Sequence, residues 1–156
     1  MMNIPPPLLL LIDGHALAYR SWYGMRNAMT ISSTGEDVRT VYSFINSFLR
    51  TISQFNPTNC IMVFDTPAPT FRHKEFVEYK SNRPPMPEEL RTQFTRIRQV
   101  VSAFNVPIFE LDGFEADDLI GTLSRQAELE NVSTIILTGD ADLLQLVSPF
   151  VKVVMN

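Results

Sequence analysis

Leu8-Leu9-Leu10-Leu11-Ile12-Asp13-Gly14 is the stretch whose reading decides the fold. A short, wholly apolar run that ends in an acid and a glycine reads as a strand buried on both faces, with a carboxylate at its end. The pattern recurs. Ile61 to Phe64 is followed by Asp65, and Thr134 to Leu137 by Asp140 and Asp142. Pro107 to Leu111 leads through an Asp-Gly turn to Glu115, Asp117 and Asp118. The runs are rich in β-branched and aromatic residues, as buried strands are. Phe150 to Val154 adds a fifth strand.

Helical patterns separate the strands. The spacing predicts helices over 15–28, 36–55, 87–104 and 115–130, with a short one over 141–147. In the second, Val38, Val41, Phe44, Ile45, Phe48 and Ile52 fall on one face. Pro57 stops it, and Pro87-Glu88-Glu89 opens the third with proline and acids in the first turn. Strands alternating with helices imply a three-layer α/β/α fold with a mostly parallel central sheet of Rossmann-like kind. Residues 66–87 are the irregular part, with five prolines and one short helical stretch between Thr70 and Lys80. A connection of that length inside a compact domain is more often functional than filler.

A chain of 156 residues, 45% hydrophobic and 19% charged, is expected to form one domain over 1–156 with a core of its own. The single Cys60 allows no internal disulfide, which fits a reducing cytoplasm, and it reads as a packing residue. No apolar run reaches the ~20 residues a membrane span needs, and no basic segment precedes the first one, so neither a span nor a signal peptide is expected. Net charge is −4, yet setting aside the seven acids at strand ends leaves ten acids against 13 Lys and Arg. Residues 72–98 hold seven bases, among them Arg72, Lys80 and Arg83, against four acids. An acidic pit beside a basic segment suits a metal enzyme acting on a polyanion, and on charge alone it suits ordinary solvated helix faces equally well.

Ligands of open α/β sheets bind beyond the carboxyl ends of the strands. Asp13, Asp65, Glu115, Asp117, Asp118, Asp140 and Asp142 would meet there and repel one another unless hard divalent cations held them. Glu115 and Asp118 share a helix face, whereas Asp117 points elsewhere. Helix capping accounts for one acid at each helix start, such as Asp140, but leaves Asp142 and two of the three at 115–118 unexplained. Lys80 and Arg83 are candidates to grip a phosphate, and Tyr19 and Tyr79 to stack on unpaired bases. His15 after a turn reads as structural. It also stands where a phosphatase with its first aspartate after strand one would place a second, which counts against that chemistry.

Taken together, Leu9 to Gly14, Val63-Phe64-Asp65, Thr70-Phe71-Arg72, Tyr79-Lys80-Ser81-Asn82-Arg83, Glu115 to Leu123 and Thr138 to Val147 resemble the 5′-nuclease domain of bacterial DNA polymerase I, a relative of flap endonucleases and PIN-like nucleases. The resemblance covers nearly the whole chain in order. It implies a Mg²⁺- or Mn²⁺-dependent phosphodiesterase with two ions that removes 5′ flaps and RNA primers from DNA, as a monomer tethered to a polymerase and associated with the nucleoid. It implies Asp13, Asp65, Glu115 and Asp117 at a first metal sub-site and Asp118, Asp140 and Asp142 at a second. Lys80 and Arg83 would be the catalytic basic pair on a mobile arch over 70–100. Tyr19, Arg20, Arg72 and Tyr79 would be further nucleic-acid contacts.

The chain departs from the family pattern at Ala141, where lysine or arginine is usual, and at Asp37 to Thr40 and Ser43. Later family segments, a helix-hairpin-helix element and a further aspartate for the second sub-site, are not in this sequence, nor is a polymerase. Two alternatives follow: a weakly active module that binds metal and nucleic acid, or a PIN-type ribonuclease.

Overall fold

The computed structural model describes residues 6–76, 78–82 and 84–155. Five strands form one sheet in the order β3-β2-β1-β4-β5. They are β1 (Leu8–Asp13), β2 (Asn59–Val63), β3 (Ile108–Phe109), β4 (Ser133–Thr138) and β5 (Val151–Met155). Every neighbouring pair runs parallel. Five helices connect them: α1 (Gly14–Gly24), α2 (Arg39–Phe55), α3 (Phe71–Glu75), α4 (Glu88–Ala103) and α5 (Ala116–Leu129), with a 3-10 helix over Ala141–Leu146.

The pleat explains the unbroken apolar run of β1. Leu10 and Ile12 face one core with Leu17, Phe44, Leu90 and Ile97 from α1, α2 and α4. Leu9 and Leu11 face a second core with Ala116 and Ile120 of α5 and Leu143 of the 3-10 helix. A strand clothed on both sides has no use for a polar alternate, so period two vanishes from its sequence. The expected three layers are therefore observed.

The largest departures from the sequence reading are at three elements. α1 stops at Gly24 rather than residue 28, and α2 starts at Arg39 rather than 36. Both follow from the intervening loop, where Thr30 and Asp37 form an antiparallel bridge and Asp37 Oδ1 accepts the Arg39 N–H at 3.0 Å. β3 pairs over only two residues. Its neighbour β2 ends at Val63, and beyond Phe109 the chain turns away with Leu111 exposed.

The strand order sets the site. From β1 the chain steps outward to β2 and β3, then returns across β1 to β4. β1 and β4 thus flank a switch point, where α/β sheets open a crevice at their carboxyl ends. Gly14 makes the first turn possible: a Cβ there would stand 2.3 Å from the Phe64 ring. Gly14→Ala would have to move that buried ring, an overpacking that typically costs about 1–3 kcal/mol.

Candidate metal centre

Asp13 ends β1 and is 4% exposed. Its Oδ1 caps α1 by accepting the Ala16 N–H at 2.9 Å, and its Oδ2 accepts the Thr138 hydroxyl at 2.9 Å. Thr138 Oγ1 in turn accepts the Asp140 N–H at 3.0 Å, so one buried hydroxyl ties the ends of β1 and β4 together. Asp140 caps the 3-10 helix through the Asp142 N–H at 2.9 Å. Thr138 opens one of the family-like segments, yet nothing in the sequence marks it as a bridge, because its contact with Asp13 depends on the β1–β4 pairing.

Asp65, just past β2, binds across the site. Its Oδ1 accepts the Ala116 N–H at 2.7 Å and so anchors the start of α5. Its own N–H donates to His15 Nδ1 at 3.1 Å. That bond leaves the His15 proton on Nε2, in a ring set among Phe64 and Phe94 at 5.6 and 4.7 Å between centroids. Burial lowers the His15 pKa, which keeps the ring neutral. His15 is thus structural in a specific sense, since its ring holds the Asp65 backbone.

The three acids at the start of α5 part company. Glu115 is buried and salt-bridged, with Lys80 Nζ on Oε1 at 2.7 Å and the Tyr79 hydroxyl on Oε2 at 3.1 Å. Lys80 reaches it from a left-handed backbone conformation, φ +58°, which is costly for a side-chain-bearing residue. Asp118 points away from the pit. Its two oxygens take both terminal nitrogens of Arg72 at 2.7 Å each, and Oδ2 also accepts the Glu115 N–H at 3.0 Å. Arg72 accordingly holds the Asp118 carboxyl below its usual pKa. Asp117 faces inward among its fellows. Burial, then the charges of Asp13, Asp140, Asp65 and Glu115, push it up to about 7. Asp13 is raised too, chiefly by burial, with Asp65 and Asp140 adding and its two hydrogen bonds opposing.

The result is a pit of about 320 Å³ walled by Asp13, Asp65, Glu115, Asp117, Asp140 and Asp142. Six of the seven acids expected there are present, and Tyr19, Tyr79 and Lys80 stand on its wall. Asp118 and Arg72 line the adjoining groove instead. Arg20 is exposed on α1 outside the pit, and Arg83 lies outside the described residues. Among the described residues, no cation within salt-bridge range faces Asp13, Asp117 or Asp140. Carboxylate oxygens predominate among the donors in the pit, and the His15 nitrogen is engaged, a set that suits a hard, water-retaining cation such as Mg²⁺ or Mn²⁺. Among the described residues, no three acid, His or Cys side chains converge tightly enough to hold an ion as they stand. The Glu115 oxygens, for one, are engaged by Lys80 and Tyr79.

The family described as 5′-3′ exonuclease, N-terminal resolvase-like domain, matches residues 8–156. The chain is 47% identical over 149 residues to DNA polymerase I of Chloroflexus aurantiacus, covering 96% of this chain and 16% of that one. It is 42% identical over 151 residues to DNA polymerase I of Deinococcus radiodurans, covering 97% and 16%. The chain thus spans about a sixth of the length of these curated relatives. Among solved structures, the bacteriophage T5 5′-exonuclease with bound zinc ions superposes with a TM-score of 0.70 at 20% identity, over 94% of this chain and 54% of that one. A T5 flap endonuclease in complex with DNA and metal ions gives 0.68 at 19%, over the same shares. At those identities the structures attest the α/β fold alone, while the sequence matches carry the kinship: the chain belongs to the 5′-3′ exonuclease family, as its N-terminal resolvase-like domain.

Proposed function

We propose that residues 1–156 are the metal-dependent nuclease unit of a DNA-polymerase-I-type protein, hydrolysing phosphodiester bonds at 5′ ends and 5′ flaps of DNA and at RNA primers. The observation that carries this reading is the convergence of Asp13, Asp65, Glu115, Asp117 and Asp140, from three strand ends and one helix start, around one pit. Asp13, Asp65, Glu115 and Asp117 would hold one Mg²⁺ or Mn²⁺, and Asp140 with Asp142 a second. Bound there, such ions supply a water nucleophile ionised near neutral pH and charge to offset that of the phosphate.

The chain's own groups do the rest. Asp117 holds its proton against the charges of Asp13, Asp140, Asp65 and Glu115, and would give it up on holding a cation. Lys80 leaves Glu115 and turns its ammonium to the reacting phosphate, where fixed positive charge favours the transition state. Arg83 and Arg20 add charge along the strand. Tyr19 and Tyr79 stack on bases at the 5′ end; Tyr19 already presents a ring near-parallel to that of Tyr23 at 6.5 Å. Of the expected 70–100 arch, the part before α4, whose Leu90 and Ile97 are buried in the core, carries Lys80 and Arg83. The unit works as a monomer beside the polymerase to which it is joined, at the nucleoid in the bacterial cytoplasm. Among the described residues no helix is long and apolar enough to cross a membrane.

The test is cleavage of a labelled 5′-flap duplex, a single strand and an RNA of the same sequence, with Mg²⁺ or Mn²⁺. The chain is expected to cut flap DNA, and Asp13→Ala and Asp117→Ala to abolish cutting. Cleavage of RNA alone would establish a PIN-type ribonuclease instead. Binding of metal and DNA without cleavage would make this chain a binding module. Either result overturns the proposal.

A further inference from the structure

We infer that Arg72 and Asp118 form a positioning clamp, acting on the reaction through Glu115, Tyr79 and Lys80 rather than touching DNA or metal themselves. The inference rests on the nuclease reading above and assigns these two residues within it.

The clamp joins the two parts that must meet at the pit. On one side is α3, five residues long and too short to hold itself in place. It is seated by the Phe71 N–H on the Gly113 carbonyl at 2.9 Å, by Phe71 against Phe114 at 5.8 Å, and by Arg72, whose guanidinium lies 4.5 Å over the Phe71 ring. His73 meets the Tyr79 ring edge-on at 5.2 Å, so the seat of α3 fixes where Tyr79 and Lys80 arrive. On the other side is the start of α5. There Asp118 accepts the Glu115 N–H while gripping Arg72 in two-point fashion. A bidentate arginine–carboxylate pair fixes orientation as well as distance. One pair of side chains therefore sets the Glu115 backbone and the approach of the two groups that bind its carboxylate. Arg72 Nη1, 3.6 Å from Glu115 Oε2, adds to the same register. To reach a phosphate, Arg72 would have to abandon both 2.7 Å bonds. To reach an ion in the pit, Asp118 would have to turn away from Arg72 and from the helix start that it caps.

The experiment compares Arg72→Gln, Arg72→Lys, Asp118→Asn and the Arg72→Gln/Asp118→Asn double variant with wild type. Turnover of a 5′-flap duplex is expected to fall tenfold or more in each of Arg72→Gln and Asp118→Asn, within the roughly 10–100-fold range for groups that act through a ligand, with KM little changed. The double variant should be no worse than about the poorer single, since one contact is lost in all three. Arg72→Lys keeps the charge but not the fork and should restore part of the turnover. The salt dependence of DNA binding, measured with Ca²⁺, should keep its slope, and the number of Mn²⁺ ions bound without DNA should not change. Lys80 should be acylated faster in Arg72→Gln than in wild type, with exposed Lys152 as internal standard for folded protein. A slope reduced by about one would make Arg72 a phosphate contact and overturn the clamp. Loss of an ion in Asp118→Asn would make Asp118 a ligand and overturn it, as would additive losses in the double variant. A wild type that cuts nothing sinks the nuclease reading; the ion count and Lys80 acylation need no DNA and still decide the clamp.

Discussion

Asp117 and Asp118 are neighbours in the first turn of α5, and the protein treats them in opposite ways. The proton on Asp117 is held up to about 7 by burial and four surrounding acids, whereas Asp118 is held below the usual carboxylate range by Arg72. Helix geometry explains the divergence: a step of one residue turns a side chain by about 100°, which sends one acid into the pit and the other into the adjoining groove. What each acid then becomes is decided by what arrives from elsewhere. For Asp118 that is an arginine 46 residues away. For Asp117 it is more negative charge. Asp117→Asn should therefore strike harder than Asp118→Asn. Loss of flap cleavage is expected to exceed about a hundredfold in the first, beyond the range for groups acting through a ligand, and to stay within it in the second. Steady-state kinetics that ranked the two equally would erase the distinction.

The same contrast separates what is legible in the sequence from what is not. β1 and β4 are legible because strands clothed on both faces are apolar throughout, and the acids just after them mark their ends. The gathering of Asp13, Asp65, Glu115, Asp117 and Asp140 follows from parallel topology, which puts every strand's carboxyl end at one edge. β3 reads too long because pairing at an edge strand depends on its single neighbour, and β2 ends at Val63. The starts and stops around residues 24–39 escape the pattern because a loop bridge, Thr30 to Asp37, overrides local helix spacing. The Arg72–Asp118 pair, the Thr138 bridge and the Lys80 salt bridge join residues far apart in sequence through side-chain geometry, for which no spacing rule exists. Helix spacing puts Asp118 on a face but gives it no partner, and so groups it with the other acids beyond the strand ends.

Asp117 and Asp118 also respond to pH in opposite ways. A cation entering the pit must displace the proton that Asp117 keeps below about 7. Mn²⁺ affinity, followed by titration calorimetry or electron paramagnetic resonance, should rise by roughly tenfold per pH unit up to about 7 and then level off, with proton release on binding. Asp117→Asn should flatten that rise, and Asp118→Asn should leave it alone. An affinity indifferent to pH between about 5 and 7 in the wild type would mean that Asp117 is not where the cation goes. A smaller effect concerns the cation already present. Lys80 occupies Glu115 at 2.7 Å, so Lys80→Met should bind Mn²⁺ severalfold more tightly even as flap cleavage falls. Tighter binding with lower activity is the mark of a residue that competes with the metal before the reaction and serves the phosphate during it. Weaker binding in Lys80→Met would remove Lys80 from that double role.

The smallest effect is on stability, and its sign follows from the two pKa displacements. A carboxyl whose folded pKa is raised favours the folded state most when protonated. The Asp117 contribution is therefore full below its ordinary value of 3.8 and is lost as pH climbs through about 7. Asp118, displaced downward, contributes stability above 3.8 and loses it as pH falls. The metal-free protein is thus squeezed from both sides, and its melting temperature should decline by roughly a few degrees between about pH 5 and 7. Asp117→Asn should make that decline shallower, because an amide carries no charge for its neighbours to repel, while Asp13, also raised, keeps its own share. Saturating Mg²⁺ should reverse it, because an ion bound only to the folded state stabilises more as its competitor proton leaves. Calorimetric melting across this range, with and without Mg²⁺, reads both slopes. A metal-free pH slope identical in wild type and Asp117→Asn would show that Asp117 does not titrate over this range.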